Sequence, residues 1–145
     1  MKYPGFIIVL LMLTNCLNKP DCIITATNLV KIGFVNASNQ PRSTQVDSIR
    51  VSGKEVLYYK GASVSTVNLP ISPEVAEALF VFYYEQQQDT VRLQYKVEPQ
   101  IISPDCGAYT IYKNLSVSET SFEFYQVVTS QLSTNATVNL QLRIE

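Results

Sequence analysis

Hydrophobic and polar residues alternate along several stretches of the chain. From Val91 to Glu98 every second residue is apolar, and the same alternation runs from Ala136 to Glu145. A period of two places successive side chains on opposite faces of an extended strand. The pattern therefore predicts strands with one buried face and one solvent-facing face.

Shorter apolar runs, separated by Asn, Gly, Pro and Ser, raise the expected number of strands to about nine. Ser72-Pro73-Glu74 is typical of a helix start, but the aromatic and β-branched residues that follow it limit a helix to one or two turns. Strands at this spacing predict an all-β, single-domain antiparallel β-sandwich, immunoglobulin-like or transthyretin-like. The shorter runs are Leu29–Val35, Val46–Val51, Glu55–Tyr59, Ser63–Leu69, Leu79–Tyr84, Tyr109–Tyr112 and Phe122–Val128.

The segments Leu79–Gln86 and Asp89–Glu98 form a predicted hairpin whose register follows from its apolar face. Pairing Phe82 with Leu93 aligns the apolar residues of both strands. This register requires a loop of even length, either Gln87-Gln88 or one residue longer on each side, because an odd loop would reverse one strand's faces.

The outer face of this hairpin is the candidate contact face. In the predicted register the guanidinium of Arg92 lies on the ring of Tyr83, and the stem of Lys96 covers Leu79. The result is a mixed surface rather than a bare apolar patch. The candidate contact residues are Leu79, Val81, Tyr83, Arg92, Gln94 and Lys96.

The first residues of the chain predict a bacterial lipoprotein signal. Lys2 is followed by the apolar stretch Phe6–Leu13 and by a processing site that ends at Cys16. The apolar stretch is shorter than the roughly 20 residues that span a bilayer. We therefore expect residues 1–15 to be a signal peptide, Cys16 to be lipidated, residues 16–24 to form a short tether and residues 25–145 to form the sandwich. A buried first strand is the alternative to a signal, and ordinary secretion is the alternative to lipidation, because Asn15 is larger than the small residue that lipoprotein peptidases prefer.

The three cysteines fit the same interpretation. If Cys16 is lipidated, Cys22 and Cys106 remain as a disulfide pair, and no odd thiol is left in an exported protein. The alternative is a pair of metal ligands. The chain has no histidine and no third free thiol, so a closed tetrahedral zinc site lacks its usual ligands. We therefore expect no metal and no cofactor.

Charge and composition exclude several function classes. A formal net charge of −1 offers no basic surface for nucleic acid. The absence of histidine excludes a Ser-His-Asp triad. Paired carboxylates such as Glu74 with Glu77, or Glu119 with Glu123, are the ones a glycan-active enzyme would use. We interpret them as solvated loop and strand-edge residues and expect no enzymatic activity.

Four short motifs give the chain a resemblance to a known group. They are Asp21-Cys22, Leu69-Pro70-Ile71-Ser72, Asp89-Thr90-Val91-Arg92-Leu93-Gln94-Tyr95 and Pro104-Asp105-Cys106-Gly107. With these motifs the sequence resembles small envelope lipoproteins of Bacteroidetes that are defined by a domain of unknown function. The resemblance implies an all-β domain that is lipid-anchored in the outer membrane or on a periplasm-facing membrane. It implies no activity, ligand or catalytic residue.

The resemblance has a second implication, because Bacteroidetes attach sugars to Ser or Thr in an Asp-Ser/Thr-apolar pattern on exported proteins. Asp47-Ser48-Ile49 and Asp89-Thr90-Val91 match this pattern, so Ser48 and Thr90 are candidate O-glycosylation residues. The alternative is that each Asp is a turn-favouring residue at a strand entrance.

We expect the chain to act as a lipid-anchored binding or scaffolding module whose partner is an envelope protein or a glycan. The alternative is a subunit of a surface fibre that donates its last strand, Ala136–Glu145, to a neighbour by β-augmentation. The same regular pattern is typical of an ordinary final strand, and pairing within its own sheet would weaken the fibre hypothesis.

Overall fold

The structure is a computed structural model that describes residues 22, 24–51, 57–58 and 61–144. The predicted signal peptide and Cys16 lie outside the described residues. Every regular element in the described part of the chain is a strand, so the turns of helix considered after Ser72 are not formed. The strands are β1 (Leu29–Val35), β2 (Thr44–Val51), β3 (Leu57–Tyr58), β4 (Ala62–Val64), β5 (Thr66–Pro70), β6 (Glu77–Tyr84), β7 (Gln87–Ser103), β8 (Gly107–Thr120), β9 (Tyr125–Val127) and β10 (Leu140–Arg143).

These strands form two sheets that pack face to face. The four-stranded sheet has the order β5-β1-β10-β9, and the six-stranded sheet has the order β3-β2-β6-β7-β8 with β4 beside β2. The predicted single-domain β-sandwich is therefore confirmed. Strands β1 and β10 run parallel, which departs from the expected all-antiparallel pairing.

The core between the sheets is made by the alternating apolar residues. In β6 the buried residues recur at every second position, and Phe80 and Phe82 are fully buried. Phe34 of the other sheet meets Phe82 edge to face at 6.1 Å, and Phe122 meets Phe82 at 5.5 Å. Burial of each such side chain contributes about 1.5–3 kcal/mol, so this aromatic contact is a principal link between the two layers.

The β6–β7 hairpin has the predicted faces but not the predicted register. Phe82 pairs with Asp89, and Leu93 pairs with Ala78. The loop is Glu85-Gln86, at φ values of 47° and 65°, rather than the predicted Gln87-Gln88 or its longer form. Two positive φ angles are typical of a two-residue hairpin turn, which usually contains Asn or Gly. The predicted register is therefore wrong, whereas Phe82 and Leu93 do share the buried face because the loop is even.

The predicted strand Ser63–Leu69 is divided between the two sheets. Its first part, in β4, pairs with β2, and its second part, in β5, pairs with β1. The change of sheet occurs at Ser65, whose carbonyl accepts a hydrogen bond from the backbone N–H of Phe34 at 2.9 Å.

The predicted strand Ala136–Glu145 is shorter in the structure and lies inside its own sheet. It begins only at Leu140, and the buried Asn139 just before it bonds to Lys31 of β1 through both its backbone N–H and its side chain. The Asn139 Oδ1 accepts a hydrogen bond from the N–H of Lys31 at 3.0 Å, and its Nδ2 donates to two backbone carbonyls. Because β10 lies between β1 and β9, the fibre hypothesis is weakened.

Strands β7 and β8 continue past the end of β6 and form a two-stranded extension, here called the arm (residues 98–111). Glu98 pairs with Ile111, and Ile101 pairs with Ala108 near the turn. Cys106 in that turn is joined to Cys22 with a Cα–Cα distance of 5.6 Å, in agreement with the predicted disulfide.

The N-terminal segment runs from the tip of the arm to its base. After Cys22, the chain passes Ile24 and reaches β1 at Leu29. A groove of about 380 Å³ lies between this segment and β8, and its lining residues are Ile24, Ala26, Thr27, Asn28, Pro73, Tyr109, Thr110 and Tyr112. The chain therefore enters the described fold at the tip of the arm.

Candidate functional site

The candidate contact face lies on the outer side of the β6–β7 hairpin, as predicted. Leu79, Val81, Tyr83 and Arg92 are half-buried there, while Gln94 and Lys96 are exposed. These residues alternate with the buried core residues of the same two strands. The structure therefore brings the predicted residues to one face.

The contacts within this face differ from the predicted ones because of the changed register. Arg92 pairs with Leu79, whereas Tyr83 pairs with Gln88. The ring of Tyr83 is instead approached by Arg50 of β2, with its Cζ 5.7 Å from the ring centroid. A cation over an aromatic face is favourable. The predicted contact of Arg92 with Tyr83 is thus wrong, and Arg50 was missed because the pairing of β2 with β6 could not be derived from the pattern.

The predicted cover of Leu79 by Lys96 is also wrong. Lys96 pairs with Lys113 of β8, beyond the point where β6 begins at Glu77. Gln94 occupies the position opposite Glu77. The outer end of this face is therefore polar, and its apolar part is limited to β6.

Arg92 connects one acid from each of the two carboxylate pairs that the sequence offered. Its guanidinium lies 3.7 Å from a carboxylate oxygen of Glu77 and 3.3 Å from one of Glu119. Exposed ion pairs of this kind each contribute about 0.2–1 kcal/mol. Glu123 lies elsewhere, at the other end of the sandwich, and the hydroxyl of Ser72 accepts a hydrogen bond from the N–H of Glu74. Arg92 thus links Glu77 to Glu119. It links neither acid to the partner that the sequence offered for it, which is Glu74 for Glu77 and Glu123 for Glu119.

The two candidate glycosylation residues lie on the same outer face. Ser48 pairs with Tyr83, and Thr90 pairs with Val81. Both are half-buried within paired strands. A sugar on either hydroxyl would cover part of the candidate contact face, so glycosylation and partner binding would compete for one surface.

A polar cluster at the end of the sandwich was missed by the sequence analysis. The Asp89 carboxylate accepts hydrogen bonds from the Tyr84 hydroxyl and from Ser121 Oγ, the latter at 2.6 Å. Burial, together with the bond to Asp89, raises the pKa of the Tyr84 hydroxyl well above its ordinary value. These residues line a cavity of about 260 Å³ beside Arg143. They come from separate strands and loops, so no local motif marks them.

Arg143 closes this cluster on the side of the four-stranded sheet. Its Cζ lies 4.4 Å from the centroid of the Phe124 ring, and its Nη2 donates to Asn39 Oδ1 at 3.1 Å. Its buried Nε has no hydrogen-bond partner in the structure. The end of the sandwich near the β6–β7 turn is therefore polar and largely satisfied by internal contacts.

The arm at the opposite end has a different surface. Ile101 is 77% exposed, Ile102 is 37% exposed and the neighbouring Ile24 is 49% exposed. At the base of the arm, Lys113 Nζ donates to Glu98 Oε2 at 2.7 Å, and this bond lowers the pKa of the Glu98 carboxyl. The two ends of the sandwich thus differ: one is polar, and the other exposes isoleucine.

Two further findings concern metals and membranes. Within the described ranges no three His, Cys, Asp or Glu side chains are grouped closely enough to hold a metal ion. The described part of the chain also contains no helix with the length and apolarity needed to cross a bilayer.

Comparison with known proteins gives a family but no activity. A model described as a family of unknown function, DUF6452, matches residues 35–144. The match begins at the last residue of β1, contains all of the later strands and the arm, and leaves out Cys22. No curated protein and no solved structure matches the chain.

Proposed function

Because the chain belongs to the DUF6452 family of unknown function, we propose from its own geometry that it is a lipid-anchored binding module of the cell envelope. The disulfide between Cys22 and Cys106 is the observation that supports this proposal most directly. Structural disulfides persist in oxidising compartments and are rare in the cytosol. The bridge is therefore consistent with export by the leader that ends before Cys16.

The anchor would be the lipid on Cys16, which precedes the disulfide by a short stretch of chain. Each buried methylene of an acyl chain adds about 0.8 kcal/mol of membrane affinity, and two or more chains give stable attachment. The resemblance to Bacteroidetes lipoproteins supports a position on the outer membrane or on a periplasm-facing membrane. Because the net charge is −1, we expect no nucleic-acid partner.

The outer face of the β6–β7 hairpin is the proposed binding surface, and an envelope protein or a glycan is the proposed partner. It combines apolar groups of Leu79 and Val81 with the ring of Tyr83 and two guanidinium groups, Arg50 and Arg92. Aromatic residues and arginine are enriched in interfaces because they provide both apolar contact and hydrogen-bond donors. The face has this composition on regular strands, which hold it rigid.

The anchor is tested by replacing Cys16→Ser and following the chain in the native host by membrane fractionation and fatty-acid labelling. The variant should lose the label and move to the soluble fraction. Cys22→Ser with Cys106→Ser is the matched control, and it should keep the label. An unchanged membrane fraction for Cys16→Ser would reject the anchor.

The binding surface is tested by placing a photo-crosslinking phenylalanine analogue at Leu79 and, as a control, at Tyr125 in the other sheet. Light should join the Leu79 position to a discrete envelope protein or glycan and should leave the Tyr125 position without that product. Equal products from the two positions would reject the proposed face.

A further inference from the structure

We infer that the arm docks on the bilayer that holds the anchor, with the isoleucines near its tip inserted among the lipids. The sandwich would then stand with the β6–β7 turn directed away from the membrane. This inference depends on the proposed lipid at Cys16 and adds a second membrane contact and an orientation.

Chain length places the arm near the membrane. Cys16 and Cys22 are six positions apart, and a fully extended chain covers at most about 3.6 Å per residue, or roughly 20 Å here. The disulfide holds Cys22 at the tip of the arm, with its Cα only 5.6 Å from that of Cys106. A lipid on Cys16 therefore keeps the tip within about 30 Å of the lipid surface, whereas the β6–β7 turn lies at the other end of β7.

The surface of the arm matches this position. Ile101 and Ile102 are adjacent near the tip of the arm and both reach solvent, and the pairing of β7 with β8 is irregular between Ile101 and Ser103. Between Pro99 and Tyr112 the sequence contains a single charged residue, Asp105. Exposed isoleucines at a tip with so few charges suit insertion among lipid chains, and the tether brings this tip to the lipid surface.

A short tether makes such a small contact effective. A few isoleucine side chains would not retain a free chain on a membrane, but tethering turns the second contact into an intramolecular event at high effective concentration. Tyr109 in the neighbouring strand, with its hydroxyl 3.4 Å from Gln100 Oε1, has the amphipathic form that favours the headgroup level.

The absence of tryptophan in the chain allows a direct test. Ile101→Trp and Tyr125→Trp each give the mature lipidated protein one tryptophan, the first in the arm and the second on β9. Tyr125 pairs with Leu142, beside Arg143 at the polar end of the sandwich, and it is 44% exposed. Both proteins are reconstituted in vesicles of phosphatidylethanolamine with bromine-labelled phosphatidylcholine, which quenches tryptophan on contact.

The tryptophan at position 101 should shift its emission to shorter wavelength and be quenched at least twofold more than that at position 125. Flotation of the same samples reports the anchor separately. A protein that floats with equal quenching at both positions refutes the docked arm while retaining the anchor. A tryptophan at position 101 that is blue-shifted but not quenched indicates a second copy or another protein at the arm and also refutes it. A chain that does not float refutes the anchor and the docking together.

Discussion

Replacing both bridged cysteines, Cys22→Ser with Cys106→Ser, should destabilise the protein strongly without changing its fold. The bridge joins residues 84 positions apart and encloses β1 to β7. In the chain-entropy account, a closed loop of this length removes enough freedom from the unfolded chain to contribute about 4.5 kcal/mol. A domain of this size is usually stable by about 5–15 kcal/mol, so the variant should lie close to its stability limit.

Urea unfolding followed by far-ultraviolet circular dichroism measures this loss. The measurement is best made in a Cys16→Ser background, so that Cys22 and Cys106 are the only thiols. We expect the unfolding free energy of the double variant to fall by about 3–5 kcal/mol, with the folded-state spectrum unchanged. Reduction and alkylation of the unsubstituted pair should produce the same loss, which separates the bridge from any effect of serine.

A loss below about 1 kcal/mol would refute the reasoning, because the loop would then not constrain the unfolded chain as the entropic account requires. The reasoning would also fail if the double variant kept the parent's unfolding free energy and differed only in that a protease released residues 22–28. The bridge would then hold the N-terminal segment against the arm without stabilising the sandwich.

Three further predictions concern single side chains. Asn139→Ala leaves three partly buried backbone groups without this side-chain partner and should cost about 3 kcal/mol in urea unfolding. Tyr84→Phe removes the hydroxyl that donates to the Asp89 carboxylate and should cost about 1.5–3 kcal/mol in the same assay. Glu98→Gln should destabilise the arm at neutral pH, as seen by amide hydrogen exchange. Because Lys113 lowers the folded-state pKa of Glu98 from its ordinary value of 4.5, the difference from the parent should be complete above pH 4.5 and should disappear as the pH falls through the folded-state pKa.

Matched variants define the outcomes that would contradict these predictions. Asn135→Ala, at an exposed position, should cost less than about 0.5 kcal/mol, and an equal cost for Asn139→Ala would contradict its buried role. Tyr125→Phe should likewise be neutral, and Tyr84→Phe must differ from it. A pH-independent effect of Glu98→Gln would show that the ion pair is not its cause.

The sequence predicted the strands wherever one face packs on the core. The bounds of β1 agree with the predicted Leu29–Val35, and β6 and β7 have the predicted inward faces. Alternation predicted the faces of Phe82 and Leu93 because every second residue must leave water. The pattern of alternating apolar residues is the same after one strand is shifted along the other by an even number of residues. It could therefore predict the faces of the strands but not their register.

The remaining errors occurred where other forces decide the structure. The turn at Glu85-Gln86 has two positive φ angles without glycine or asparagine, so no turn residue marked it. The arm beyond Val97 pairs without a core beneath it, and its sequence there has no alternation to detect. The strand before Leu140 was predicted too long because Asn139 fits the polar position of the pattern while its side chain is fully buried.

The candidate site was predicted in part. Side chains alternate between the two faces of a strand, so the residues of the outer face could be named once the buried ones were predicted. Its contacts depend on pairing between strands distant in sequence, and for that reason the approach of Arg50 to Tyr83 was missed. The disulfide was predicted from the count of cysteines, whereas its place at the tip of an arm was not.

The position of β10 between β1 and β9 affects when the protein can fold during its synthesis. Among the described strands β1 is made first and β10 last, yet these two strands pair with each other. The four-stranded sheet cannot close until β10 has been made. Until then β1 and β9 each have an exposed edge, which is a hazard for aggregation. The connectivity thus delays completion of the sandwich until nearly all of the described chain is available, and any product interrupted before Leu140 should be a ready target for proteases.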